Sequence, residues 1–152
     1  PCLLEQEVDA VIRLLQRQAE HAQVTIQRSG AGYSLVDPRR FRQLALNLLV
    51  NSIQAQHGGG HIDVEISSHC CRFCDQGPGV PNSIGDRLFE PFVSGRSEGT
   101  GLGLHIAHEI ARAHGAKLTY QSLNPGACFT LSDLQPVDED MLISEPEKDE
   151  FQ

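Results

Sequence analysis

"EGTGLGLHIAHEIARAHG", residues 98–115, sets Gly99, Gly101 and Gly103 two apart and runs straight into an apolar-periodic stretch. A glycine-rich loop that opens a helix is a place for an anion, because the first N–H groups of the helix lack intrahelical partners and the helix dipole is positive there. The dinucleotide fingerprint is excluded. Leu104 stands where its last glycine belongs, and the polar run Ser94-Gly95-Arg96-Ser97-Glu98 leaves no strand in front. The other common phosphate loop is excluded too, since no Gly-Lys-Ser/Thr follows. The helix itself is expected over 101–114, ending at His114 with Gly115 just beyond it.

Working outward, apolar residues recur at helical spacing over 4–22 (Leu4, Val8, Val11, Ile12, Leu15, Ala19, Ala22). "VTIQR" (24–28) alternates as a strand and "YSLV" (33–36) reads as a second short one. Asp37-Pro38 is a strong helix start: the carboxylate accepts backbone N–H bonds and Pro fits the first helical turn. The helix from 38 to about 56 buries Phe41, Leu44, Ala45, Leu48, Leu49, Ser52 and Ile53, and Gly58-Gly59-Gly60 ends it. "HIDVEISS" (61–68) and "CCRFC" (70–74) read as neighbouring strands. "SIGDRLFEPF" contains a short helix, and "AKLTYQS" and "ACFTLS" are closing strands joined at Asn124-Pro125-Gly126. Helices alternating with antiparallel strand pairs imply an α/β two-layer sandwich, with a mixed, mostly antiparallel sheet and helices on one face.

Composition narrows the partners. The 152 residues carry a formal charge of −8, no Trp and few aromatics, which excludes a basic or stacking surface for nucleic acid. Seven acids against one Lys in 136–152 place most of that charge in a tail. Such a tail is expected to be disordered beyond a single domain over 1–135. No apolar run is long enough to span a membrane. Five cysteines, three of them in "HCCRFC" (69–74), lack the second ligand pair that a zinc site needs. They are expected to be buried free thiols in a reducing compartment.

Four short stretches carry chemistry. In "LNLLVNSIQA" (46–55), Asn47 and Asn51 share one helix face in an apolar surround. They are either hydrogen-bonded core amides or a hard oxygen donor for Mg²⁺ beside a phosphate. In "DQGPGV" (75–80), Asp75 with Gly77 and Gly79 is either a plain turn or a carboxylate that accepts a hydrogen bond from a base amine. "LFEPFVSG" (88–95) sets Phe89 and Phe92 beside a polar loop. They are core rings, or Phe92 pins the loop while Arg96 reaches a terminal phosphate. "GTGLGL" (99–104) supplies backbone donors.

In this order and spacing the four stretches resemble the N, G1, F and G2 boxes of the nucleotide-binding domain of sensor histidine kinases. These belong to the wider gyrase, Hsp90, histidine kinase and MutL family. The resemblance runs over roughly residues 3–134 and implies the Bergerat-type ATP-binding fold. It implies ATP and Mg²⁺ as ligands, with Asn51 on the metal, Asn47 beside the phosphates and Asp75 on the adenine amine. Gly77 and Gly79 would shape the pocket. Gly99, Thr100, Gly101, Leu102 and Gly103 would wrap the phosphates, with Phe92 at the root of the loop and Arg96 as a phosphate contact. "CCRFCDQG" departs from the family, in which a more aliphatic strand leads into the Asp. The short stretch from Phe92 to Gly99, with "GGGHIDVEI" and "GACFTL", resembles kinases paired with sigma-54-type regulators, including nitrogen- and pilus-control sensors.

Hydrolytic relatives carry Glu one turn before the metal Asn; here that position is Asn47, and an amide is no general base. The resemblance therefore implies phosphoryl transfer to a protein histidine rather than to water. Catalysis would rest on positioning and electrostatics around Asn47, Asn51 and Arg96. The acceptor His would sit on a separate dimerisation domain, and a cognate response regulator would take the phosphoryl from it. "HEIARA" (His108, Glu109) mimics the acceptor motif but lies on the helix after the glycine loop, so it is not expected to serve. The setting implied is a cytoplasmic domain, with room for an inner-membrane anchor in a longer parent. Rival readings are an ATP-gated module or ATPase of the same superfamily, a related serine kinase, and a pseudo-kinase that only docks partners.

Overall fold

The computed structural model describes residues 1–56, 58–79, 84–91, 102–123 and 125–137. Eleven named elements follow in chain order: β1 (Cys2–Leu3), α1 (Leu4–Ala22), β2 (Val24–Gly30), β3 (Tyr33–Ser34), α2 (Pro38–Ala55), β4 (Gly60–Ile66), β5 (Cys71–Asp75), a 3₁₀ turn (Gly85–Phe89), α3 (Gly103–Ala113), β6 (Lys117–Ser122) and β7 (Ala127–Ser132). Five strands form one sheet in the order β2-β4-β5-β7-β6. β2 and β4 run parallel and the remaining pairs antiparallel, so the sheet is mixed, as expected.

Each helix forms where the apolar period demands it. α1 buries Leu4, Val8, Val11, Leu15 and Ala19, and α2 buries Phe41, Leu44, Ala45, Leu48, Leu49, Ser52 and Ile53. Asp37 caps α2 as its sequence promises, accepting from the N–H groups of Arg39 (2.8 Å) and Arg40 (3.2 Å). Those bonds hold its carboxyl below the usual range, Arg40's first. Three helical stripes cover one face of the sheet, where Phe41, Phe73 and Phe129 are the largest fully buried side chains. Removing such a ring costs about 3–5 kcal/mol.

Two features escape sequence patterning. β1 and β3 pair as a two-stranded ribbon, and Pro136 bridges to Ser34 while the Val137 N–H donates to the Tyr33 carbonyl. β3 lies within the strand expected over 33–36, whereas the two residues of β1 carry no readable alternation. The expectation for the cysteines needs a correction. Cys2, Cys70 and Cys71 are free, but Cys74 and Cys128 are joined by a disulfide. They are direct cross-strand partners on β5 and β7, a proximity that 54 positions of sequence separation hide.

Candidate functional site

The site begins at the C-terminal end of the central strand. β5 alternates buried Cys71, Phe73 and Asp75 toward the helices, so the carboxylate is carried inward by the same period that places Phe73 in the core. Asp75 is 4% exposed and its Oδ1 accepts the Gly77 N–H at 3.0 Å, closing a tight turn. A Cβ at Gly77 would lie 3.0 Å from the Ala55 carbonyl oxygen and 3.3 Å from Asp75 Oδ1. Gly79 adopts φ +79°, with Tyr120 and Ser122 beside it. Gly126, at φ +117°, packs so closely that a Cβ would run into the Asp75 carbonyl. In the sequence Gly126 reads as part of the link between the closing strands; its contact with Asp75 exists only once β5 and β7 are paired.

The opposite wall is α2. Asn47 and Asn51 are half-buried one turn apart, and Asn47 Nδ2 donates to the Gly103 carbonyl at 3.2 Å. Gln43 Nε2 donates to Asn47 Oδ1 at 2.8 Å. Asn47 therefore clamps the start of α3 against α2. The N-cap of α3, Leu102, makes no side-chain capping bond. Among the described residues, Ser52 Oγ is buried without a hydrogen-bond partner. An orphaned hydroxyl of this kind costs about 1–3 kcal/mol.

Gln56, which sequence reading did not single out, ties these parts together. It is 4% exposed and its Oε1 accepts from the His61 N–H (3.0 Å) and the Gln76 N–H (3.2 Å). Its Nε2 donates to the Ser52 carbonyl at 3.3 Å. One side chain thus fixes the end of α2 to the start of β4 and to the residue after Asp75. The only sequence signal was a polar residue closing an apolar helical stripe.

Of the expected site residues, Asn47, Asn51, Asp75, Gly77, Gly79, Leu102 and Gly103 are described, and contacts join Asn47 to Gly103 and the α2 residue Ala55 to Gly77 and Asp75's turn. Phe92, Arg96, Gly99, Thr100 and Gly101 lie outside the described residues. His108 stacks on Phe89 with ring centroids 4.9 Å apart, which fits a packing residue and not an acceptor. His114 ends α3 as expected, its Nδ1 on the Ile110 carbonyl (2.8 Å) and its Nε2 accepting the Asp37 N–H (3.1 Å).

Residues 36–137 match the family described as histidine kinase-, DNA gyrase B- and HSP90-like ATPase. The chain belongs to this family. This ATPase-family domain is 36% identical over 107 residues to the adaptive-response sensory kinase SasA of Synechococcus sp. (strain CC9902), covering 63% of the chain and 28% of SasA. It is 34% identical over 119 residues to the sensor protein kinase PilS of Pseudomonas aeruginosa, covering 70% of the chain and 22% of PilS. Among solved structures, the catalytic domain of histidine kinase ThkA superposes with a TM-score of 0.73 at 23% identity. That match covers 87% of this chain and 94% of the ThkA domain, and it establishes the shared fold. The expected likeness to the ATP-binding domain of sensor histidine kinases is thereby borne out. The chain spans about a quarter of the length of the curated relatives it matches. No helix of the described residues is long and apolar enough to cross a membrane.

Proposed function

We propose that this domain binds ATP with Mg²⁺ and donates the γ-phosphoryl group to a histidine on a separate dimerisation domain, from which a response regulator receives it. The observation that carries the reading is the pairing of a buried carboxylate with a glycine floor: Asp75 held by Gly77 and backed by Gly126, with the end of α2 at Ala55 packed against Gly77. A buried carboxylate acceptor and Cβ-free walls fit a flat heteroaromatic ring bearing an amine. A fully hydrophobic ligand would make no use of the acceptor capacity that Asp75 keeps beyond its bond from Gly77.

Asp75 accepts from the base amine in this reading, and Gly77 and Gly79 admit the ring to the backbone. Asn51, one turn beyond Asn47, offers an amide oxygen to the metal. No cluster of three His, Cys, Asp or Glu occurs among the described residues, so the ion would share its shell with phosphate oxygens and water. When bound, Mg²⁺ supplies charge neutralisation of the phosphates. Leu102 and Gly103, with Gly99, Thr100 and Gly101, bring backbone donors, while Arg96 is proposed as a phosphate contact and Phe92 as the root of that loop. Asn47 is engaged with Gly103 and Gln43 and has no basic lone pair to activate water, which favours transfer over hydrolysis. Residues 136–152 are proposed as an acidic tail whose first two residues, Pro136 and Val137, are anchored on β3, and the cytoplasm as the setting of the domain.

The test uses labelled ATP, Mg²⁺ and a purified acceptor hairpin of a related kinase. Acid-labile, base-stable label on the hairpin is the expected result. Release of free phosphate alone, or acid-stable label, would overturn histidine transfer in favour of an ATPase or a serine kinase.

A further inference from the structure

The disulfide lies outside everything the nucleotide reading uses. On β5, Arg72 and Cys74 alternate with buried Cys71, Phe73 and Asp75, so they project from the sheet face opposite the helices. On β7, Cys128 lies between Ala127 and Phe129 and faces the same way as its cross-strand partner Cys74, with Cα atoms 4.1 Å apart. The two sulfurs differ in surroundings. Cys74 is half-buried, whereas Cys128 has no exposed surface and receives a hydrogen bond from Arg72 Nη2 at 3.4 Å.

We propose that Cys74 and Cys128 form a thiol–disulfide exchange site for small thiols and their disulfides, in which Cys74 is the sulfur attacked and Cys128 the sulfur released. Exchange favours attack on the accessible sulfur and departure of the sulfur whose anion is better stabilised. Exposure assigns the first role to Cys74, and the Arg72 guanidinium assigns the second to Cys128. An incoming thiolate forms a bond to Cys74 Sγ; the Cys74–Cys128 bond breaks and its electron pair leaves on Cys128 Sγ beside Arg72. A second thiolate attacks the small-molecule sulfur of the mixed disulfide, releasing the symmetric small disulfide and the Cys74 thiolate. Two small thiols are thereby oxidised to one disulfide, and the protein disulfide is reduced to a dithiol that takes up their two protons. Run backward with a small disulfide, the same steps close the bond.

The other three cysteines contrast with this pair. Burial pushes the Cys71 thiol up to about 12 and the Cys2 thiol up to about 11, and it raises Cys70 as well, so their thiolates are scarce. The bond also has a strategic position. Asp75 pairs with Ala127 in the next register, so the cross-link ties the two strands that floor the candidate nucleotide site one residue below it.

The experiment treats the oxidised chain with glutathione, quenches with iodoacetamide and maps adducts by peptide mass. Expected is glutathione on Cys74 with carbamidomethyl on Cys128, and this mapping needs no substitution. In Cys128→Ser, oxidised glutathione should leave a lasting adduct on Cys74, whereas Cys74→Ser should form its adduct on Cys128 about ten-fold more slowly. Arg72→Gln should slow opening of the bond by about three-fold, with Arg72→Lys restoring it. First attack on Cys128, equal adduct rates in the two serine variants, or a bond that stays closed in excess glutathione would overturn the proposal.

Discussion

The two ends of the candidate cleft are held in different ways. At the base end, Asp75, Gly77, Gly126 and Gln56 form a buried set in which polar groups are matched and neighbouring backbones touch with no space for a side chain. At the phosphate end, Asn47 reaches the carbonyl that opens α3 through a single partly buried bond, on half-buried residues. The first arrangement is preorganised and suits selection of one ring. The second is more lightly held and suits a charged, exchanging group. On the proposed reading, discrimination and transfer fall to separate pieces of structure that meet along α2.

If that division is right, Asn51→Ala should show the largest effect. Phosphotransfer to a supplied acceptor hairpin should fall below detection while the fold, read by circular dichroism, is kept. Asp75→Asn strikes the other end. Its affinity for adenine nucleotide, measured by calorimetry, should drop by about 1–3 kcal/mol, the worth of a charged hydrogen bond. A comparable loss of affinity in both variants would erase the distinction between the ends.

Gln56→Leu sharpens the same contrast through stability. It strips the acceptor from the His61 and Gln76 N–H groups, two part-buried bonds worth about 1 kcal/mol each. Chemical denaturation should report a loss of that order, and the Asp75 turn should loosen with it. The equivalent change at the other end, Asn47→Ala, removes the part-buried bond to Gly103 and the exposed bond from Gln43 and should cost about 1 kcal/mol.

The smallest effect concerns pH. Asp37 caps α2, and its folded value lies below the ordinary 3.8 because the N–H groups of Arg40 and Arg39 bond to the carboxylate. A depressed value means that the contribution is present above the ordinary carboxylate range and is lost as the pH falls through the folded value. Melting temperatures of the wild type and Asp37→Ala should therefore differ at neutral pH and converge on acidification.

What was legible in the sequence follows from the range of the interactions involved. α1 and α2 were readable because their stripes repeat every turn, and Asp37-Pro38 announced a cap through bonds two and three residues away. Asp75 with Gly77 was readable because a turn is local. Gln56, Gly126 and the Cys74–Cys128 bond were not, since each acquires its role from a strand brought alongside by the fold. In the ribbon only β1 escaped, and for another reason: two residues are too few to show alternation, whereas β3 falls within the strand expected over 33–36.

The most direct test is a crystal structure of the chain with Mg²⁺ and a non-hydrolysable ATP analogue. Expected is the exocyclic amine of the base within hydrogen-bond distance of the Asp75 carboxylate, with the phosphates lying toward Asn51 and the start of α3. A base lodged elsewhere, with Asp75 bonded only to Gly77, would contradict it.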